Sequence, residues 1–197
     1  MTVRAGVGIA AAIILGSGLL FGYLVMGRGF SARGEPSRVE AFLARNIRRM
    51  AIPSEAKAMT NPSSLTAERL PAAQDHWVAH CSGCHALDGG GDTPVGKNLF
   101  PKPPDMKAAL TQDLSDGEIY YIISNGIRFT GMPAWGGEDS PEDIWDLVSF
   151  IRKLPGMTPE EFKLLEQKAA GGPVAGASPS TQPPGHTHAP GTPSHTH

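Results

Sequence analysis

A chain of 197 residues is long enough for one ordinary domain with appendages, and glycine (24) and proline (18) together make up about a fifth of it. Only 7% of the residues are aromatic, which excludes a large aromatic core and predicts a small domain rich in loops. Cys81 and Cys84 are its only cysteines. Their spacing excludes a disulfide framework and indicates a redox, metal or cofactor-attachment pair.

Charge divides the chain into distinct segments, although the formal net charge is only −2. Residues 1–65 carry eight Lys and Arg against three Asp and Glu, residues 66–168 carry nine against 16, and residues 169–197 carry none. The first segment is therefore at +5 and the second at −7. We predict an N-terminal transmembrane anchor over 1–27, a basic tether over 28–65, a globular domain over 66–168 and a disordered tail over 169–197.

The first predicted element is a membrane-spanning helix. Ala5 to Met26 are 22 residues without a charge, and a helix of that length covers roughly 33 Å. The alternative is a cleaved signal peptide, whose apolar region has about 7–15 residues. Phe30-Ser31-Ala32 would place a bulky side chain at the cleavage site. We therefore favour an uncleaved anchor, and with no cysteine before Cys81 we expect no lipid anchor there.

The tether contains a predicted amphipathic helix from Ser37 to Ala51. Apolar side chains recur near one face of it: Val39, Phe42, Leu43, Ile47 and Met50. One interpretation is a helix that lies on lipid headgroups or on a partner subunit. The other is a solvated connector helix that packs on its own domain, and the pattern does not separate the two.

The sequence predicts that the globular domain is all-helical. An apolar periodic stretch, Leu70–His80, leads into the cysteine pair. The capping box Ser115–Glu118 opens a second helix that suits an end at Gly126. Ser140, followed by proline, opens a third helix that ends at Pro155. The sequence shows no alternation typical of strands, and a long Gly- and Pro-rich run separates the first two helices. A domain with such long loops has a small apolar core, so we expect its stability to be marginal without an apolar cofactor.

The motif Cys81-Ser82-Gly83-Cys84-His85 indicates which cofactor that is. Thiols at i and i+3 face the same way and can add to the two vinyl groups of a haem, which leaves His85 to ligate the iron. A zinc site would need further ligand pairs, and a thioredoxin-like motif would need a βαβ context. Neither is visible in this sequence.

At this point the sequence resembles the class I cytochromes c, over about Leu70 to Leu154. The resemblance rests on the CxxCH motif and on two loops, Leu99–Met106 and Ile127–Trp135. It implies a small all-α class I cytochrome c fold around one covalently bound haem c. It also implies that Met132, in a Gly-Met-Pro loop, is the sixth iron ligand, in preference to Met106 or Met157.

The resemblance also implies a cellular location and an activity. Haem is attached to such domains outside the cytoplasm, so the haem domain is expected on the periplasmic face of the inner membrane, against a weak opposing arginine count. We predict a membrane-tethered electron carrier in a respiratory or related chain, and not an enzyme. The alternatives are a fixed haem subunit of an oxidoreductase complex and, less favoured, a haem enzyme or gas sensor.

The expected partners follow from charge and topology. The first expected partner is the membrane itself, through the N-terminal helix. The others are redox proteins with a basic docking surface, and no nucleic acid is expected. Three aromatic residues either line the haem pocket or simply pack between helices: Tyr120, Tyr121 and Trp135. Arg128 either pairs with a haem propionate or is solvated. His76 and His80 are four residues apart on one helix face, and we favour a surface location over a metal pair.

The C-terminal tail is predicted to be disordered because it lacks both charge and apolar periodicity. It ends in two pairs of alternating histidines, which could hold a divalent metal: His186, His188, His195 and His197. Closing so flexible a chain on a metal has a large entropic cost, so we favour a tail without a metal.

Overall fold

The computed structural model describes residues 3–28, 31–62 and 65–171. Their α-helices are α1 Val3–Arg28, α2 Arg38–Ala51, α3 Ser54–Lys57, α4 Leu70–His76, α5 Ser82–His85, α6 Ala109–Gln112, α7 Asp116–Asn125, α8 Pro141–Lys153 and α9 Pro159–Ala170. Within those ranges there is no strand, only an isolated bridge between Gly136 and Asp139. The predicted all-α fold is confirmed.

The core of the domain lies where α8 packs against α4 and α7. Its largest fully buried side chains come from the turn that precedes the cysteine motif, from α8 and the residue after it, and from α9: Trp77, Ile144, Leu147, Val148, Phe150, Leu154 and Leu165. The apolar stripe that periodicity predicts on the third helix is therefore the buried face of α8. Each such side chain contributes about 1.5–3 kcal/mol through burial.

The predicted helix boundaries around α7 and α8 are confirmed by their caps. The Ser115 hydroxyl accepts from the Glu118 amide (3.1 Å), and the Glu118 carboxylate accepts from the Ser115 amide (2.8 Å). Gly126 ends α7 with φ at +64°, a conformation that costs glycine little. The Ser140 hydroxyl caps α8 by accepting from the amide of Asp143 (3.2 Å).

The helix before the cysteine pair differs from the single helix predicted over Leu70–His80. α4 ends at His76, and Trp77–Cys81 form a π-helical turn that leads into α5. The Ser82 hydroxyl donates to the Val78 carbonyl (2.8 Å) and competes with the regular helical ladder there. Such wider turns occur frequently at functional sites.

Helix α9 was not predicted as an element. It begins with a capping box at Thr158, whose hydroxyl accepts from the Glu161 amide (3.2 Å). Leu165 is fully buried, and Lys168 forms an ion pair with Asp75 of α4. Docking to the start of the domain, over 90 residues earlier in the chain, therefore fixes this helix.

The last part of the predicted tether contacts the domain. Ile52 and Ala56 are buried, and the Asn61 side chain donates to the Trp145 carbonyl (3.1 Å) and to the Ser149 hydroxyl (2.7 Å) of α8. A Cβ on Gly117 would lie 1.9 Å from the carbonyl oxygen of Ala56, so α3 and α7 approach closely. The domain boundary between residues 65 and 66 stays a prediction.

Helix α1 fits a membrane anchor. Gly6–Leu24 has a mean hydropathy of 2.1 and none of it is buried. The whole helix has 26 residues, which is roughly 39 Å. A signal sequence shares these properties. The predictions made for the tail, including the pairs His186/His188 and His195/His197, lie outside the described residues.

Candidate haem site

The cysteine motif occupies two successive turns. Cys81 closes the π-helical turn, and Cys84 and His85 lie on α5. Both thiols are free and partly buried. Ala86 ends α5 with φ at +63°, a left-handed conformation that is unusual for a side chain other than glycine. The chain thus turns sharply directly after His85.

His85 has the environment of a neutral ligand. Burial lowers the pKa of its imidazole to about 4, because desolvation disfavours the charged ring. Its Nδ1 is buried without a hydrogen-bond partner in the described part of the chain. The ring lies beside the Trp77 indole, with centroids 6.2 Å apart. A neutral imidazole in an apolar setting is a good iron ligand.

The Cys81 thiol is held in its protonated form. Burial, with smaller contributions from Asp139 and Cys84, raises its pKa to about 12. A redox-active or zinc-binding cysteine needs thiolate character, which this environment disfavours. No group of three or more His, Cys, Asp or Glu suited to a metal ion occurs in residues 3–28, 31–62 and 65–171. The surroundings of Cys81 therefore do not favour the redox or zinc alternatives.

The glycine-rich loop after the motif folds back on it. The Gly91 amide donates to the His85 carbonyl (2.8 Å), and the Thr93 hydroxyl donates to the Cys84 carbonyl (3.4 Å). A Cβ on Gly91 would lie 2.9 Å from the Pro103 carbonyl oxygen, and its φ is +78°. The loop thus supplies partners for the carbonyls at the end of α5.

Met132 lies in a hydrogen-bonded loop between α7 and α8. The Thr130 hydroxyl donates to the Ile127 carbonyl (2.8 Å) and accepts from the Met132 amide (3.1 Å). The Ile127 amide in turn donates to the Met132 carbonyl (3.1 Å). Met132 is partly buried and packs against the core, as does Cys81. These bonds fix the backbone on both sides of the predicted sixth ligand.

The two family-like loops touch each other. A Cβ on Gly131 would lie 2.7 Å from a methyl carbon of Leu99, so the side chain of Leu99 occupies the space that glycine leaves open. Met106, which competes with Met132 on sequence grounds, belongs instead to the buried core. Its amide donates to the Gly89 carbonyl (2.9 Å).

Two side-chain contacts join the Met132 loop to the helix that carries the motif. His80 and Trp135 meet edge to face with centroids 5.3 Å apart. His76 Nε2 lies 3.2 Å from Asp139 Oδ2, and both side chains are only 16% exposed. His76 is thus more buried than we predicted from the sequence, whereas His80 is exposed, as predicted.

The other residues that the sequence suggested near the haem either pack between helices or lie at the surface. Tyr120 stacks on Trp145 at 4.3 Å, which supports a packing role. Tyr121 and Trp135 are partly buried, and Arg128 is exposed. Sequence reasoning did not identify the contacts of Asp139 and Leu99, because no spacing in the chain signals a partner more than thirty residues away.

The helical fold, the motif and the methionine loop together define a class I c-type cytochrome domain, which binds haem c covalently. Residues 68–151 match the family model of the cytochrome c oxidase, cbb3-type, subunit III. The match covers most of the predicted haem domain and excludes α1, α2 and α9. A haem-based role in electron transfer follows for this domain.

Proposed function

We propose that Cys81 and Cys84 form the thioethers to the haem, with His85 and Met132 as the axial iron ligands. The neutral, buried imidazole of His85 supports the first ligand. The support for Met132 is its tightly bonded loop, which contacts the motif helix through Trp135. The orphaned Nδ1 of His85 and the two free thiols are compatible with a bound haem.

The function that this arrangement supports best is one-electron transfer by a membrane-tethered carrier. The haem supplies the redox chemistry. With His85 and Met132 both engaged, no coordination position is left for a substrate, which favours outer-sphere transfer over catalysis. The neutral thioether sulfur of Met132 would be a weak donor that favours reduced iron, so we expect a fairly high reduction potential. The single observation that carries the proposal is the partly buried CxxCH motif, whose preceding helical turn contacts the Met132 loop through His80 and Trp135.

A fixed haem subunit of an oxidase complex is the second candidate. It is favoured by the match of residues 68–151 to an oxidase subunit family. Both candidates place the domain at a membrane through α1, whose apolar length fits an anchor. We propose that α1 is retained and that the haem domain lies on the periplasmic side.

Solubilised native membranes separate the two candidates. A subunit should co-purify in constant ratio with other redox proteins after mild detergent, whereas a carrier should elute alone. Protease added to spheroplasts should release a haem-bearing fragment that begins after Met26. A fragment protected until the membrane is broken would reverse the proposed orientation.

A further inference from the structure

The apolar face of α2 is exposed. Its five large side chains are between 51% and 74% exposed and recur at i, i+3, i+4, i+8 and i+11: Val39, Phe42, Leu43, Ile47 and Met50. No described segment of the chain covers them, α1 included. The side turned toward the domain is different, since Ala41 and Arg48 are partly buried there.

Helix α2 is tied to the domain beyond both of its ends, since Glu35, just before the helix, forms an ion pair with Lys102 of the haem domain. Arg49 pairs with Glu118 at the start of α7 (3.4 Å), and the next apolar residue, Ile52, is buried. Two capping hydrogen bonds at Ser37 fix the other end of the helix. The helix is therefore well formed, while its apolar face has no partner among residues 3–28, 31–62 and 65–171.

Chain connectivity keeps this face near the membrane. Nine residues lie between the end of α1 at Arg28 and the start of α2 at Arg38, so these two ends are at most about 35 Å apart. A membrane-spanning α1 therefore holds the N-terminal end of α2, where the apolar face begins at Val39, within that distance of the point where the chain leaves the bilayer.

The charges on α2 favour an anionic lipid surface. Arg38 and Arg45 are exposed and lie beyond the Phe42 edge of the apolar face, roughly 115° and 135° around the helix from its centre. Apolar side chains flanked by arginines are typical of helices that lie in the plane of an anionic bilayer surface. The haem domain, at −7, is repelled by the same surface, so α2 is the part of the protein that suits it.

We propose that α2 lies on the anionic bilayer surface from which α1 emerges, with its apolar face among the acyl chains. The proposal rests on α1 as an anchor, but not on the haem ligands or the redox role. It gives the protein a second membrane contact, which limits how the haem domain can tumble above the bilayer. Docking of this face to a second copy or to another subunit would bury the same side chains, and the experiment below separates those outcomes.

The test uses the full-length haem protein in vesicles of phosphatidylcholine with phosphatidylglycerol. Cys81 and Cys84 are the only other cysteines, and the wild-type haem protein, treated with the same spin label, measures any signal from them, so the test does not depend on the haem ligands. Val39→Cys labels the apolar face, and Ala44→Cys, about 140° further around the helix, is the matched control. Where Val39→Cys fails to mature, Ile47→Cys replaces it.

The measurement compares collision of each label with oxygen, which concentrates in the bilayer, and with a water-soluble nickel complex. We expect a ratio of oxygen to nickel collisions that is several-fold higher at Val39 than at Ala44. Equal exposure of both labels to nickel would overturn the proposal. Protection of the Val39 label from both reagents would also overturn it, because a protein surface would then cover the face.

A second variant tests the charge argument. Arg38→Gln combined with Arg45→Gln should lower the oxygen ratio at Val39 in anionic vesicles toward its value in pure phosphatidylcholine. An unchanged ratio would overturn the assignment to anionic headgroups. An unaltered visible spectrum and haem content would establish that the variant is folded, so failure of the haem assignment would remain distinguishable from failure of this proposal.

Discussion

His76 Nε2 lies 3.2 Å from Asp139 Oδ2, across a gap of 63 residues in the chain. The contact joins α4, which leads into the cysteine motif, to the segment that follows the Met132 loop. Neither atom has a hydrogen-bond partner of good geometry, although both are buried. The pair therefore couples the two parts of the haem site through electrostatics and packing.

Breaking this pair should loosen the Met132 loop. We expect Asp139→Ala to lower the free energy of unfolding by about 1–3 kcal/mol, because the largely buried His76 side chain then loses the carboxylate that faces it. The weak near-infrared band of Met-ligated ferric haem should disappear at a lower temperature than in the wild type. Glu138→Gln, at an exposed neighbouring position, is the control and should change little. Identical melting of the band in both variants would mean that the pair contributes nothing to the loop.

Removal of the predicted sixth ligand should open the iron. Met132→Ala is expected to abolish the near-infrared band, lower the reduction potential and allow carbon monoxide to bind the reduced protein. Met157→Leu is the matched control and should keep all three properties. Unchanged spectra in Met132→Ala would transfer the ligand role to Met106 or another residue.

The thioether assignment predicts that haem stays with the unfolded chain. Haem should survive acid-acetone extraction of the denatured wild-type protein, because covalent bonds to Cys81 and Cys84 do not depend on the fold. Cys81→Ser and Cys84→Ser should each keep a single bond and shift the absorption of the pyridine complex. Loss of haem from the denatured wild type would falsify the motif assignment.

Gly126 should tolerate no side chain. Its φ is +64°, and a Cβ would lie 2.7 Å from the Pro133 carbonyl carbon at the base of the Met132 loop. We expect Gly126→Ala to lower the free energy of unfolding by about 1–3 kcal/mol, from backbone strain and crowding together. Gly156→Ala is the control, because nothing lies within 4 Å of its added Cβ. Denaturant unfolding of both haem proteins measures the difference.

The charge of the haem domain should govern its reaction with charged redox reagents. Residues 66–168 carry a charge of −7, so a cationic ruthenium complex should react faster at low ionic strength and slow as salt is added. The anionic reagent ferricyanide should show the opposite dependence. Rates that do not change with salt concentration for either reagent would argue against electrostatic steering. They would also argue against the basic docking surface that we predict for the physiological partner.

Local signals in the sequence predicted much of this fold. The capping box at Ser115, the amphipathic pattern of α2 and the apolar stripe of α8 depend on residues within a few positions of one another, so they could be recognised directly. The cysteine motif and the Gly-Met-Pro loop are equally local. The π-helical turn at Trp77–Cys81 was not predicted, because it keeps a helical pattern while changing the hydrogen-bond register.

The sequence by itself determined the helical class, the nature of the cofactor and the residues that we propose to hold it. Tertiary structure alone decided that His76 meets Asp139, that Leu99 fills the space beside Gly131 and that Leu165 anchors α9. It also decided that α2 leaves its apolar face exposed. Helix periodicity and capping are set by neighbours in the chain, whereas these contacts depend on how loops close over tens of residues, which no short pattern encodes.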